Sequence, residues 1–132
     1  MALSEDVSRI AAAAAAHAGA GETVGAVLAV ETAAGERVYL VAFADASGNQ
    51  EWLAVTDDGA PVTSRDRVRE AASIAALVEV AEEAAEQMAD GPRLASLPYL
   101  DSLGGDSSLV GALPAVDELT RDVETHYKVE LS

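Results

Sequence analysis

Residues 37–45 read RVYLVAFAD, and the reading of that stretch decides the fold. Its β-branched and aromatic content suits a strand. Successive side chains on a strand point to opposite faces, so Val38, Leu40 and Ala42 share one face while Tyr39, Val41 and Phe43 share the other. Both rows are apolar. A sheet with one wet face would alternate apolar and polar residues, so this strand belongs to a sheet that has to be covered front and back.

The stretches TVGAVLAVE at 23–31 and QEWLAVT at 50–56 have the same character. Between the three lie TAAGE and ASGN, which are turn-like and too short for a parallel crossover. Residues 23–56 are therefore expected to form a three-stranded antiparallel meander. Ahead of it, Ser4 caps a helix over 5–18, with Glu5 and Asp6 in its first turn, Gly19 and Gly21 at its end, and a slight apolar stripe of Val7, Ile10 and Ala14. Behind it, the Asp58-Gly59 turn and Pro61 lead to Thr63 or Ser64, either of which caps a long helix over 64–90 that Gly91 and Pro92 close. Residues 91–113 mix Leu94, Leu97, Tyr99, Leu100 and Leu103 with Pro98, Gly104 and Gly105, and read as an irregular segment. A last helix over 114–128 starts at Pro114 and aligns Val116, Leu119, Val123 and Tyr127.

The expected fold class is thus α+β, in the order α-β-β-β-α-α, as one domain over 1–132. At about 1.5 Å per residue the long helix reaches roughly 39 Å, whereas an eight-residue strand spans roughly 26 Å. The far half of the helix, with Val78, Ala81, Ala85 and Met88, therefore needs a partner, and the last helix can pair with it antiparallel. The long helix is expected over one face of the sheet, and a second copy of the chain, or residues 93–113, over the other. A homodimer accounts for the two-faced sheet, the overlong helix and a core short of large side chains, since the chain has one Phe, one Trp and three Tyr.

Of the 132 residues, 23 are acidic and 8 basic, a formal charge of −15, and the one lysine is Lys128. Such a chain is poorly suited to nucleic acid or an anionic membrane, since phosphate binding depends on Lys and Arg. The same balance suits a proteome adapted to high internal salt, in which case the acidity belongs to the host. With no cysteine there is no disulfide framework and no thiolate chemistry. Residues 2–10 carry two acids where a secretory signal needs positive charge, and no apolar run approaches the length of a membrane span. The chain reads as soluble and cytoplasmic.

Three groups of residues are candidate binding sites. On the long helix Glu79, Glu82, Glu83, Glu86 and Asp90 fall within about one quadrant at 100° per residue, opposite Leu77, Val78, Ala81, Ala84, Ala85 and Met88. That face suits a basic partner, or simply water. Tyr39 and Phe43 share a face of the middle strand and Trp52 lies on its neighbour, an arrangement that lines a small-molecule pocket or fills the core. Arg65, Arg67 and Arg69 crowd the start of the long helix, where cations oppose the helix dipole; a bound anion would explain them, as would pairing with Asp57, Asp58, Asp66 and Glu70.

No catalytic or metal residues are assigned. Glu118, Asp122 and His126 share a helical face, but one His with carboxylates is thin for zinc. GAGETVG at 19–25 follows a helix and precedes a strand, the wrong order for a dinucleotide loop, and no G-x-S-x-G occurs. The order helix, three strands, helix, with bases opening the second helix, resembles double-stranded-RNA-binding domains, yet residues 64–70 hold no lysine. The function expected is a non-catalytic protein-interaction or adaptor module acting as a homodimer, with no cofactor and a basic protein as partner. The alternative is a small-molecule-binding or enzymatic domain with its pocket at Tyr39, Phe43, Trp52 and the three arginines.

Overall fold

The computed structural model describes residues 3–84, 94–102 and 109–132. Its elements are α1 (Leu3–Ala15), β1 (Thr23–Glu31), β2 (Arg37–Ala44), β3 (Gln50–Thr56), α2 (Arg65–Ala84), β4 (Leu94–Ala95), α3 (Leu97–Ser102) and α4 (Leu109–Thr125). The class is α+β, and the sheet has the order β3-β2-β1-β4. β1, β2 and β3 form the antiparallel meander, with Leu28 opposite Leu40 and Leu40 opposite Ala54. The turn after β2 is tied by the Asp45 carboxylate, which accepts from the Ser47 and Asn49 amides at 2.9 and 3.0 Å, and Gly48 takes the left-handed conformation (φ 87) that the reversal requires.

The sheet is apolar on both faces. Val30, Val38, Leu40, Ala42, Trp52 and Ala54 pack against α2 and Val123 of α4. Ala29, Tyr39, Val41, Phe43, Leu53 and Val55 pack against Ile10 and Ala14 of α1. This second cover is the main correction to the sequence reading. α1 lies over that face, and Leu94 packs against the same cluster. Its stripe of Val7, Ile10 and Ala14 is narrow, but the sheet supplies the large side chains, so a small-residue helix can approach closely; Ile10 and Ala14 are fully buried. Ion pairs hold its flank, since Arg9 reaches the Asp57 carboxylate at 3.1 Å and Arg37 reaches Asp6 at 3.4 Å.

Other boundaries differ as well. Residues 94–102 contain β4, which pairs parallel with Ala29 and Val30, and the short α3, so the sheet is mixed and four-stranded. A two-residue strand leaves no periodicity to read. The last helix begins at Leu109, so Pro114 lies inside it, past the first four amides that need no helical partner, and not at its first turn as expected. α2 is described as far as Ala84, so the expected stop at Gly91 and Pro92 lies outside the described residues. α2 and α4 run antiparallel as expected: Arg65 and Arg69 meet Glu124, while Ser73 Oγ lies 3.3 Å from Thr120 Oγ1. None of the described helices is long and apolar enough to cross a membrane.

Candidate functional site

Ala75 and Val78 of α2 stand over one end of the sheet, where Ala26 and Leu28 of β1, Ala42 of β2 and Trp52 of β3 line the same hollow. With Ala95 of β4 they enclose about 540 Å³, a volume within the range of ligand pockets. Gln50, Glu79 and Glu82 supply its polar lining. Leu28 is 36% exposed, one of two large apolar side chains left in the open among the described residues. Trp52 is held rigidly beside it, its indole N–H donating to Asp122 Oδ2 at 2.9 Å.

The acidic face of α2 is not uniform. Glu79 and Glu83 are exposed, but Glu82 is buried and accepts a 2.5 Å hydrogen bond from the Tyr99 hydroxyl of α3. On a helical wheel Glu82 stands at the margin of the acidic quadrant nearest Val78, which turns it toward the core. Glu86 and Asp90 lie outside the described residues.

The two edges of the sheet differ, and that difference defines the site. β3 is closed along its outer edge. Trp52 N–H donates to the His126 carbonyl and Lys128 N–H to the Trp52 carbonyl, both at 2.9 Å, and Val62 N–H donates to the Ala54 carbonyl at 2.7 Å. The Tyr127 hydroxyl locks this closure by accepting from Ala54 N–H and donating to the Val62 carbonyl, both at 2.8 Å; burial pushes its pKa up to about 12. Lys128, only 10% exposed, bonds Glu22 at 2.5 Å and Glu51 at 3.1 Å and sits 4.8 Å from the centre of the Phe43 ring. Burial alone would lower its ammonium, but the two carboxylates outweigh that and its pKa is raised. A hydrogen bond with Glu51, then Lys128, then the Gly19 amide hold the Glu22 carboxyl down to about 2. Beyond β1 the described cover is shorter. β4 covers Ala29 and Val30, and among the described residues Thr23–Leu28 have a strand partner on the β2 side alone.

The residues proposed for a pocket do not meet. Tyr39 and Phe43 are fully buried beneath α1, the Tyr39 hydroxyl donating to Asp57 Oδ1 at 3.2 Å, whereas Trp52 lies on the α2 face. The sheet stands between them, because Trp52 pairs with Ala42 and so shares its face. The arginines end on acids remote in sequence. Arg65 and Arg69 reach Glu124 at 3.0 and 2.9 Å, and Arg67 Nε reaches Glu36 at 2.9 Å. Burial would raise the Glu124 carboxyl, but the hydrogen bonds from Arg69 and Arg65 prevail and its pKa is lowered. Of these six residues Trp52 alone lines the groove. Sequence reasoning missed Ala26, Leu28 and Gln50, although Leu28 lies in an apolar strand that carries no charge between Thr23 and Val30.

A larger hollow of about 930 Å³ runs along α4, lined among the described residues by the helix and the His126 just after it. His126 Nε2 lies 3.7 Å from Asp122 Oδ1, and no group of three metal-binding side chains converges among the described residues. No protein-family model, curated protein or solved structure matches the chain. The site is therefore argued from its own geometry.

Proposed function

We propose that this protein is a non-catalytic interaction module, an adaptor that takes an apolar, positively charged segment of another protein into the groove between β1 and α2. The observation that carries this reading is the groove itself: an apolar hollow whose polar lining, among the described residues, is two carboxylates and one amide. Charge supports a basic occupant. Arg9, Arg37, Arg65, Arg67, Arg69 and Lys128 each pair with an acid inside the fold, so a net charge of −15 faces outward with little local opposition.

Trp52 is the one tryptophan of the chain and lines the groove, so its emission reports occupancy. A blocked peptide alternating Val and Arg should change that emission on binding. Affinity should fall roughly tenfold between ~0.05 and ~0.5 M salt, as screening removes the attraction. A peptide with Glu in place of Arg should not bind. Equal binding of the two peptides, or binding indifferent to salt, would refute the charge argument.

Homodimerisation is the second reading; with α1 over the sheet face first assigned to a second copy, what favours it is that among the described residues Thr23–Leu28 have a strand partner on one side alone. Two chains of like charge repel, so salt would strengthen a dimer while weakening a basic partner's hold. Light scattering at both salt concentrations separates the two readings.

A further inference from the structure

We infer that residues 126–132 form a detachable strap: they close the outer edge of β3 as an added strand would, and they open as a unit while the rest of the fold stays formed. Trp52 N–H donates to the His126 carbonyl and Lys128 N–H to the Trp52 carbonyl, so that Tyr127 pairs parallel with Trp52. An extended peptide that adds to a sheet edge bonds in the same way. Here the chain supplies its own peptide. Beyond Lys128 the segment returns to the start of α2, where Ser132 N–H donates to the Thr63 carbonyl at 2.9 Å and the Ser132 carbonyl accepts from Arg65 N–H at 3.3 Å.

What holds the strap differs from what holds the strand beneath it. Leu53, Ala54 and Val55 of β3 are fully buried. No residue of 126–132 is buried to that degree, and its apolar side chains Tyr127, Val129 and Leu131 are each only partly covered. Hydrogen bonds and one ion cluster make up the difference. A segment with little buried apolar surface opens at a lower free energy than the core it lies on.

Lys128 is the pin of this strap. Its ammonium meets Glu22, just before β1, at 2.5 Å and Glu51 of β3 at 3.1 Å, and it lies over the Phe43 ring of β2. Lys128 and Glu22 are 10% and 9% exposed, so removing the ammonium leaves two carboxylates side by side, one of them nearly buried, without their counter-charge. The pin therefore sets how often the strap lifts. Each time it lifts, the Trp52 amide and carbonyl and the Ala54 amide lose their partners and the edge of β3 is bared.

Hydrogen exchange followed by NMR tests this within one strand. Successive amides of a strand point to opposite edges, so those of Trp52 and Ala54 face the strap while those of Leu53 and Val55 face β2. The Trp52 and Ala54 amides should exchange roughly tenfold or more faster than those of Leu53 and Val55, at a rate that hardly changes with low denaturant, as a local opening requires. Equal rates with the same denaturant dependence would mean that the strap leaves only when β3 does, and would overturn the inference. Lys128→Met should speed the Trp52 and Ala54 amides roughly tenfold more than it speeds those of Leu53 and Val55. Glu51→Gln is the milder variant, because the Glu51 side chain is 43% exposed and the Lys128–Glu22 pair remains; it should widen the same gap by about two- to threefold. Variants that speed all these amides alike would show that the ion cluster holds the core and not a strap, and would also overturn the inference.

Discussion

Trp52 of β3 and Asp122 of α4 are joined by a 2.9 Å hydrogen bond across the face of the sheet that α2 also covers. The indole N–H is a donor with no alternative role, and the ring around it is buried, so the bond fixes how the tryptophan presents itself to the groove. Asp122→Ala should lower stability by about 1–3 kcal/mol, the cost of leaving such a donor without a partner. It should also shift the emission of Trp52. Asp122→Asn keeps an acceptor oxygen at the same place and should cost well under half as much. Denaturant titration followed by far-ultraviolet circular dichroism measures both, and equal losses for the two variants would show that the charge of Asp122 matters more than the bond.

Tyr127 gives the alkaline limit of stability. Its hydroxyl is protonated where it locks Ala54 and Val62, and its pKa of about 12 stands above the ordinary 10 of an unfolded tyrosine. A group whose pKa is raised by folding stabilises fully below its unfolded value and loses that contribution as pH rises through its folded one. Stability should therefore decline between about pH 10 and 12, with tyrosinate absorbance appearing late in the titration. Tyr127→Phe should remove that part of the decline and cost about 1–3 kcal/mol at neutral pH, because Ala54 N–H loses its partner.

The acid limit comes from Glu22. Its carboxyl is held near 2, against 4.5 for the unperturbed group, through Glu51, Lys128 and the Gly19 amide in that order. Here folding lowers the pKa, so the unfolded chain binds the proton more readily, and the stabilisation present above about pH 4.5 is lost as pH falls toward 2. Glu22→Gln should flatten the dependence of stability on pH in that window and leave the alkaline side unchanged. Lys128→Met should return the Glu22 carboxyl toward its ordinary value, which carbon-detected NMR of the side chain reads directly. A carboxyl that stayed near 2 without Lys128 would place the whole effect on Glu51 and Gly19.

Much of this architecture was legible in the chain, and the gaps have physical causes. The doubly apolar strand 37–45 correctly called for two covers, and the Val116, Leu119, Val123, Tyr127 stripe for the antiparallel α2–α4 pair. The identity of the second cover was missed because alanine-rich helices carry little amphipathic contrast; three residues on α1 do what a wider stripe usually does. The face of Trp52 was within reach. Counting back through the Asp45–Asn49 turn sets Gln50 opposite Ala44 and so Trp52 opposite Ala42, away from Tyr39 and Phe43. The partners of the three arginines were not, because Glu124 is 59 residues from Arg65 and Glu36 is 31 from Arg67, and local charge patterns cannot register such pairs. The groove was missed for a related reason: its lining comes from all four strands and α2, brought together only by the folded topology.

α1 carries the last prediction. If it is the cover of the Tyr39–Phe43 face, its contacts belong to the core and not to a fraying terminus. Ile10 is fully buried there, so Ile10→Ala should cost about 2–5 kcal/mol, the range for removing a large aliphatic side chain from a packed site. Ser8→Ala, at an exposed position of the same helix, should change stability by less than about 0.5 kcal/mol. Removing the helix altogether should uncover Tyr39 and Phe43 and so raise dye binding and self-association above those of the whole chain. An Ile10→Ala variant as stable as the parent would mean that α1 does not stay docked in solution, and the second face of the sheet would again require another chain to shelter it.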